Sequence, residues 1–408
     1  MDSNNRTKES SQTAGRYLAE LIRCSLHEEV PGRKPEGCTW EQLWQLAKWN
    51  HVESMTAPAI RRYQGEIPDE PGTAWKRTLD ETVYRRVRFD MEREQILTAL
   101  AERGIACLPL KGILVAGYYP NPGMRWMCDN DILYGYIDPD GVGGWRLRGG
   151  DTGEQEHWVQ EARRELVSVM TDLGYEVESL ESNHDSFQKK PFFNFEMHRR
   201  LVDSRCGLAG YFENPWKKAI QNAGSEFLCH FSDEDEYLFL VSHAWKHFSR
   251  SGCGIRTLAD EYMVLKHKGK MDWDYIHREL ALMGVAEFEG ALRETAVNVF
   301  SRAGRPDKKD WDMVCYMLGC GAYGNLPNRI RMRIEEREGS WKSYMIERFW
   351  MKDEDWMKEF YPFFYRHKSL RAVLPVYRML KGVCIHPGKL FREWQEVNKY
   401  RLKDKEQE

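Results

Sequence analysis

Hydrophobic positions along the chain fall into three regimes. In the first they recur at helical spacing. A stripe begins near Ala14, with Tyr17, Leu18, Leu21 and Ile22 on one side. After the loop VPGRKPEG, Thr39 is placed to cap a helix over WEQLWQLAKWNHV, with Glu41 and Gln42 in its first turn. A third helical stretch starts near Ala57 and is broken by EIPDEPG. A long charged segment follows over 75–103, with Val83, Val87, Phe89, Met91, Ile96, Leu97 and Leu100 among its apolar positions. Its Arg85, Arg86 and Arg88 read as a solvated face. Residues 1–12 are polar and are expected to form a disordered tail, and 13–90 a helical N-terminal region.

The period changes at Gly104. IACLPL reads as a short buried strand and CDNDILYGYI as a second. Residues 138–156, rich in Gly and charge, read as an inserted loop or hairpin. A helix carrying Val159, Ala162, Leu166, Val169 and Met170 then runs to Gly174, which fits the position just past a helix end. YEVESL alternates as a strand. Ser186 to Lys189 and Phe192 to Met197 read as an antiparallel pair turning near Lys190 and Pro191. Side chains alternate faces along a strand, so Phe193, Phe195 and Met197 share a packed face and Asn194, Glu196 and His198 an open one. From about Glu213 the spacing is helical again, with Ser232 and Asp235 opening one helix. The expected division is a core over 91–205, a helical C-terminal domain over 206–390 and a charged helix or tail over 391–408.

The chain has 408 residues, of which 42% are hydrophobic and 30% charged, so two or three soluble domains are expected. A net charge of −3 gives no electrostatic case for binding bulk nucleic acid. No apolar run is long enough to span a bilayer, and the polar N-terminus lacks the apolar core of a signal peptide, so a cytoplasmic protein is expected. Ten cysteines include no CxxC pair, which argues for reduced, packed thiols over a zinc site.

The candidate chemistry sits in LKGILVAGYYPNPGMRWMCDNDIL, residues 110–133. On a strand, Asp129 and Asp131 point the same way and aim two carboxylates at one point. Paired carboxylates suit a Mg²⁺ ion that also holds a nucleotide's phosphates. With 63 acidic residues in 408, chance supplies roughly ten such pairs, so context has to carry the reading. Lys111 and Gly112 follow a strand and open a helix, where a glycine lets backbone approach a phosphate. Arg125 precedes the acidic pair, and Glu196 on a later strand supplies a third acid. Three acids from two strands beside a phosphate cradle describe a two-metal phosphoryl-transfer site.

These residues also carry a resemblance. The segment 110–133, together with NHDSFQKKPFFNFEMHRRL, HAWKHF, GCGIRTLADEY, AYGNLPNRIR and LPVYRMLKG, resembles an uncharacterised bacterial nucleotidyltransferase family of the DNA polymerase β-type superfamily. The similarity covers about residues 90–382, and more weakly the helices before them. It implies that Asp129 and Asp131 are the metal-binding pair and Glu196 the third metal-site acid. It also matches Lys111 and Gly112 to the family's turn, and Arg125 to the arginine of its Pro/Gly loop. The superfamily usually has Gly-Ser or Gly-Gly at the turn, where this chain has Gly112-Ile113. The middle residue of the triplet is usually apolar and here is Asn130, expected to point into the packed side of the sheet, where an amide must be hydrogen-bonded.

Further candidates are open to two readings each. His243 and His247 share a helix face, for a metal, the cleft wall or plain packing. Arg256 and Asp260 form a helix pair or reach a ligand, with Gly252 and Gly254 just ahead. His198 orients Glu196 or satisfies a local hydrogen bond, and Asn183-His184-Asp185 borders the cleft. The expected fold class is α+β, a small mixed sheet with flanking helices set between helical regions. The expected activity is transfer of a nucleoside monophosphate from an NTP, ATP first among them, to a hydroxyl acceptor with pyrophosphate release. Two Mg²⁺ ions, or Mn²⁺ in their place, would be the cofactors, and a protein or peptide is among the acceptors considered. The alternative is a degenerate transferase fold that binds a nucleotide or a partner protein without turnover.

Overall fold

A computed structural model describes residues 2–180, 183–203, 206–336, 340–350, 354, 356–357, 361–385 and 387–407. Four helices come first: α1 (Asp2–His27), α2 (Trp40–Trp49), α3 (Glu53–Arg62) and α4 (Asp69–Ala101). α1 begins well ahead of Ala14, so the polar stretch expected to be a tail is helical from Asp2. Thr39 caps α2 through a reciprocal pair: its Oγ1 accepts from the Gln42 amide at 3.1 Å, and Gln42 Oε1 accepts from the Thr39 amide at 2.9 Å. α4 starts ahead of Trp75, because Pro71 lies in the first helical turn, where its missing N–H is not needed. α4 also runs unbroken through residue 90, so no structural break separates the N-terminal helices from the sheet.

The sheet region comprises β1 (Ala106–Pro109), the one-turn α5 (Gly112–Val115), β2 (Asn130–Gly135), a hairpin of β3 (Ile137–Pro139) and β4 (Trp145–Leu147), α6 (Thr152–Asp172), β5 (Glu176–Leu180), β6 (His184–Lys189) and β7 (Phe193–His198). The hairpin is the expected insertion. The five-stranded sheet has the order β1-β2-β7-β6-β5. β2 and β7 run parallel and the other neighbours antiparallel. One face is the core. Ile132, Tyr134, Phe187, Phe195 and Met197 pack there against Phe89, Ile96 and Leu100 of α4 and Ala162, Leu166, Val169 and Met170 of α6. Strand alternation then commits Asp131, Glu196 and His198 to the opposite face.

Two polar residues enter the core face. Asp185 is fully buried and is held by Arg163 at 2.7 Å, Arg199 at 3.4 Å and the Tyr134 hydroxyl at 3.2 Å. Asn130 is also fully buried. Its Oδ1 accepts from Arg93 Nη1 at 2.9 Å, while its Nδ2 has no partner, so the unusual amide is half satisfied.

A second hairpin, β8 (Ala219–Gln221) and β9 (Cys229–Phe231), leads to α7 (Asp233–Ser251), α8 (Arg256–His267), α9 (Trp273–Met283), α10 (Ala286–Phe300) and α11 (Lys308–Cys320). Residues 1–245 and 254–322 make one compact unit. Residues 246–253 and 323–408 make another, with α12 (Leu326–Glu335), α13 (Trp341–Phe349) and helices Leu374–Ile385 and Pro387–Gln407. The second unit has its own small core of Ile330, Ile334, Tyr344 and Val397. The expected helical domain over 206–390 therefore divides between the two.

In the larger unit the Tyr237 hydroxyl lies 2.7 Å from a carboxylate oxygen of both Glu261 and Glu289. A phenol has one hydrogen, so one carboxyl must be protonated and donate back. Arg293 pairs with Glu289 at 2.6 Å, which leaves Glu261 as the neutral partner. Burial pushes the Glu261 carboxyl up to about 8, helped by the Glu289 charge. A raised folded-state pKa means that this stability is complete below the ordinary carboxyl range and is lost as pH rises through 8. Glu261→Gln keeps a neutral donor at every pH. It is expected to stabilise the fold by about 1–3 kcal/mol at pH 8 and by nothing at pH 4, which melts across that range will check.

Candidate active site

The parallel pairing of β2 and β7 sets Asp131 opposite Glu196 and Leu133 opposite His198. Neighbouring strands lie about 4.8 Å apart, so opposed side chains on one face meet. Ligand atoms of Asp131, Glu196 and His198 all lie within 4.8 Å of one another. Asp129 stands immediately before β2 and feels the charges of Asp131, Glu196 and Lys111. Asp131 and Glu196 thus meet on the open face, and Asp129 lies within electrostatic reach of both. His198 links two of them. Its Nε2 is 2.8 Å from Asp131 Oδ1 and 3.6 Å from Glu196 Oε2, and the His184 ring lies 5.2 Å from its own.

Lys111 and Gly112 both engage other groups of the protein. Lys111 has φ 50° and ψ −117°, the first central position of a type II′ turn, which Ile113 N closes onto the Leu110 carbonyl at 3.3 Å. That turn, strained for a lysine, drives Nζ to 2.5 Å from Asp131 Oδ1. The helix it opens is a single turn, and the Ile113 and Leu114 amides are already bonded to the Leu110 and Lys111 carbonyls. A Cβ on Gly112 would lie 2.6 Å from Arg125 Nη1, so the glycine makes room for a guanidinium.

Arg125 and Asp260 find each other. The guanidinium grips the Asp260 carboxylate through Nε at 2.7 Å and Nη2 at 2.8 Å, and the Tyr119 hydroxyl donates to the same carboxylate at 2.8 Å. Arg125 is thereby fixed as a brace between the Pro/Gly loop and α8, and Asp260 pairs with it in place of Arg256. Arg256 turns toward the site. Its Nη1 donates to the Trp126 carbonyl at 3.3 Å, and its charge lowers the proton affinity of Asp129. Gly254 serves packing, since a Cβ there would meet the Gly321 carbonyl oxygen at 2.9 Å. The His243 ring lies 6.3 Å from Phe239.

The electrostatics separate the acids. Burial and the charges of Asp131 and Glu196 push the Asp129 carboxyl up to about 6. Burial opposes ionisation of Asp131 as well, but Lys111 and His198 overrule it and hold that carboxyl well below the usual range. Against burial, the His198 hydrogen bond also lowers Glu196. Asp131 and His198 are buried, while Asp129 and Glu196 keep partial exposure.

Three residues near Trp126 and Arg256 were not picked out from the sequence. Arg85, read as solvated, lies one helical turn before the buried Phe89 and shares its face, a signal present in the spacing. Glu53 opens α3 and His51 lies in the turn just before it, and both lie within electrostatic reach of Arg256. Burial pushes the Glu53 carboxyl up to about 7, and its Oε2 is buried without a partner. Nothing in the local pattern marks these two.

A small mixed sheet flanked by helices, with Asp131 and Glu196 on its open face, is consistent with a nucleotidyltransferase core. The profile of a family described as uncharacterised nucleotidyltransferase matches residues 36–138 and 158–301, and the chain belongs to that family. No curated protein and no solved structure matches it.

Proposed function

We propose that the protein transfers a nucleoside monophosphate from an NTP, with ATP the first choice, to a hydroxyl acceptor, using Mg²⁺ and releasing pyrophosphate. The observation that carries this is the meeting of Asp131 and Glu196 on the open sheet face, with Asp129 in electrostatic reach of both, in a chain of a nucleotidyltransferase family. The donor set suits a hard divalent cation, which prefers carboxylate oxygen. The buried Lys111 ammonium beside Asp131 supports the fit, because it shows that these acids draw positive charge.

Asp129 and Asp131 would hold the ions, with Glu196 completing the set beside the acceptor. When bound, the ions polarise the α-phosphate and favour the acceptor alkoxide. The acceptor oxygen bonds to the α-phosphorus as the bond to the bridging oxygen of pyrophosphate breaks. The hydroxyl proton leaves to Glu196 or water. Lys111 and His198 are positioning residues that keep Asp131 ionised and aimed. Arg256 offers charge to the leaving pyrophosphate.

Crowded acids give a direct test. ATP is expected to bind at least tenfold more tightly with Mg²⁺ than with EDTA, measured by titration calorimetry, and Asp131→Asn is expected to lose that difference. Equal affinities with and without Mg²⁺ in the wild type would remove the metal from the account. Asp131 also anchors Lys111 and His198, so a melt of the variant belongs beside the titration.

A further inference from the structure

Lys111 and Arg125, which sequence alone offers to the triphosphate, are each closed by an internal carboxylate. Two other guanidinium groups meet Trp126, just ahead of Asp129. Arg256 holds the Trp126 carbonyl. Arg85 lies over both the Trp126 and the Phe192 ring, its Cζ 4.4 Å from each centroid. Among the described residues, neither arginine has a carboxylate within ion-pair distance. Arg85 Nε is buried and has no acceptor at all.

The location matters as much as the missing partner. β2 and β7 run parallel, so their starting ends lie together. Trp126 precedes the start of β2, and Phe192 immediately precedes β7. Arg85 therefore stands at the end of the sheet where Asp129 sits. Two aromatic faces hold the guanidinium, and the residue as a whole keeps partial exposure through which an oxyanion can reach it. A buried N–H without an acceptor costs free energy until one arrives, and a guanidinium meets phosphate oxygens in a matching planar geometry. Two arginines at one tryptophan suit a ligand of several negative charges better than a monoanion.

We propose that Arg85, held on the rings of Trp126 and Phe192, binds the polyphosphate end of the nucleotide and holds pyrophosphate as it leaves, with Arg256 held by the carbonyl of the same tryptophan. This rests on the nucleotidyl-transfer reading and adds to it a residue from the N-terminal helical region. Arg85 is in this view a binding residue, and the helices before the sheet are part of the substrate site.

Titration calorimetry with inorganic pyrophosphate and tripolyphosphate, in Mg²⁺ buffer, tests it on the full-length protein. Wild type is expected to bind both. Arg85→Met, which keeps bulk between the rings and removes the charge, should weaken both at least tenfold while adenosine binding stays unchanged. Arg85→Lys keeps charge without the planar fork and should fall between them, and it serves if the Met variant does not fold. Pyrophosphate binding by Arg85→Met or Arg85→Lys within twofold of wild type would overturn the proposal and leave Arg85 as a structural clamp, visible only in the melt. No pyrophosphate binding by wild type would overturn it too. Arg85-dependent binding in a protein that transfers nothing from any NTP would keep the subsite and sink the transfer reading, so the two fail separately.

Discussion

Asp129→Asn is expected to melt higher than wild type in metal-free buffer and to transfer no nucleotide. Asp129 is pushed up to about 6 by burial and by two neighbouring carboxylates. A carboxyl raised above its unfolded value of 3.8 contributes stability that is present at low pH and is lost as pH rises through about 6. At pH 7.5 the ionised Asp129 therefore strains the empty site. The amide removes that repulsion, a gain of about 1–3 kcal/mol at this pH that vanishes below pH 4. The expected rise in Tm is about 1–5 °C. Mg²⁺ should reverse the order, because only the wild type gains stability by binding it. Turnover should fall by at least roughly a thousandfold, since an amide does not replace a charged ligand in a two-metal site. A variant that melts lower without metal, or that retains turnover, would show that the three acids are not held in mutual repulsion for a cation.

Arg125→Met should be the most damaging single change to the fold around the site. The guanidinium is largely buried, and its loss strands the Asp260 carboxylate with only the Tyr119 hydroxyl. Removing one partner of such a pair leaves an uncompensated charge, at a cost of about 3–5 kcal/mol. Denaturant melts should show it as a shift in midpoint with an unchanged slope. Gly112→Ala provides an internal check. Its new Cβ would meet Arg125 Nη1 at 2.6 Å, and the two-point grip on Asp260 stops the guanidinium from swinging aside. The alanine should therefore destabilise the wild type by about 1–2 kcal/mol and the Arg125→Met background by much less. Equal costs in both backgrounds would mean that Gly112 is required by its turn and not by Arg125.

The sheet was legible in the chain because strand alternation is a local signal. Phe193, Phe195 and Met197 against Glu196 and His198 already state which face is buried, and the parallel pairing with Asp131 follows once β2 and β7 are neighbours. Thr39 and Ser232 announced their helices through capping chemistry that spans one turn. The roles of the cations were not legible. Lys111 reads as a phosphate ligand until the type II′ turn is known to aim it at Asp131. Arg125 meets Asp260 on α8, far along the chain, and a pairing at that separation leaves no periodicity. Arg85 reads as solvated if only its charge is weighed, and as site-facing only once Trp126 and Phe192 are placed around it. Local patterns specify elements and faces. Which cation meets which anion is decided by tertiary approach.

On the proposed function, the α-phosphate moves with its nucleoside. The most direct measurement incubates wild type and Asp129→Asn with ATP labelled at either the α- or the γ-phosphate, Mg²⁺ and a cell extract as the acceptor pool, and repeats it with the other three NTPs. The expected result is α-label on an acceptor and γ-label in released pyrophosphate, with wild type only and not in EDTA. Transfer of the γ-label, or no α-label from any of the four NTPs, would contradict it.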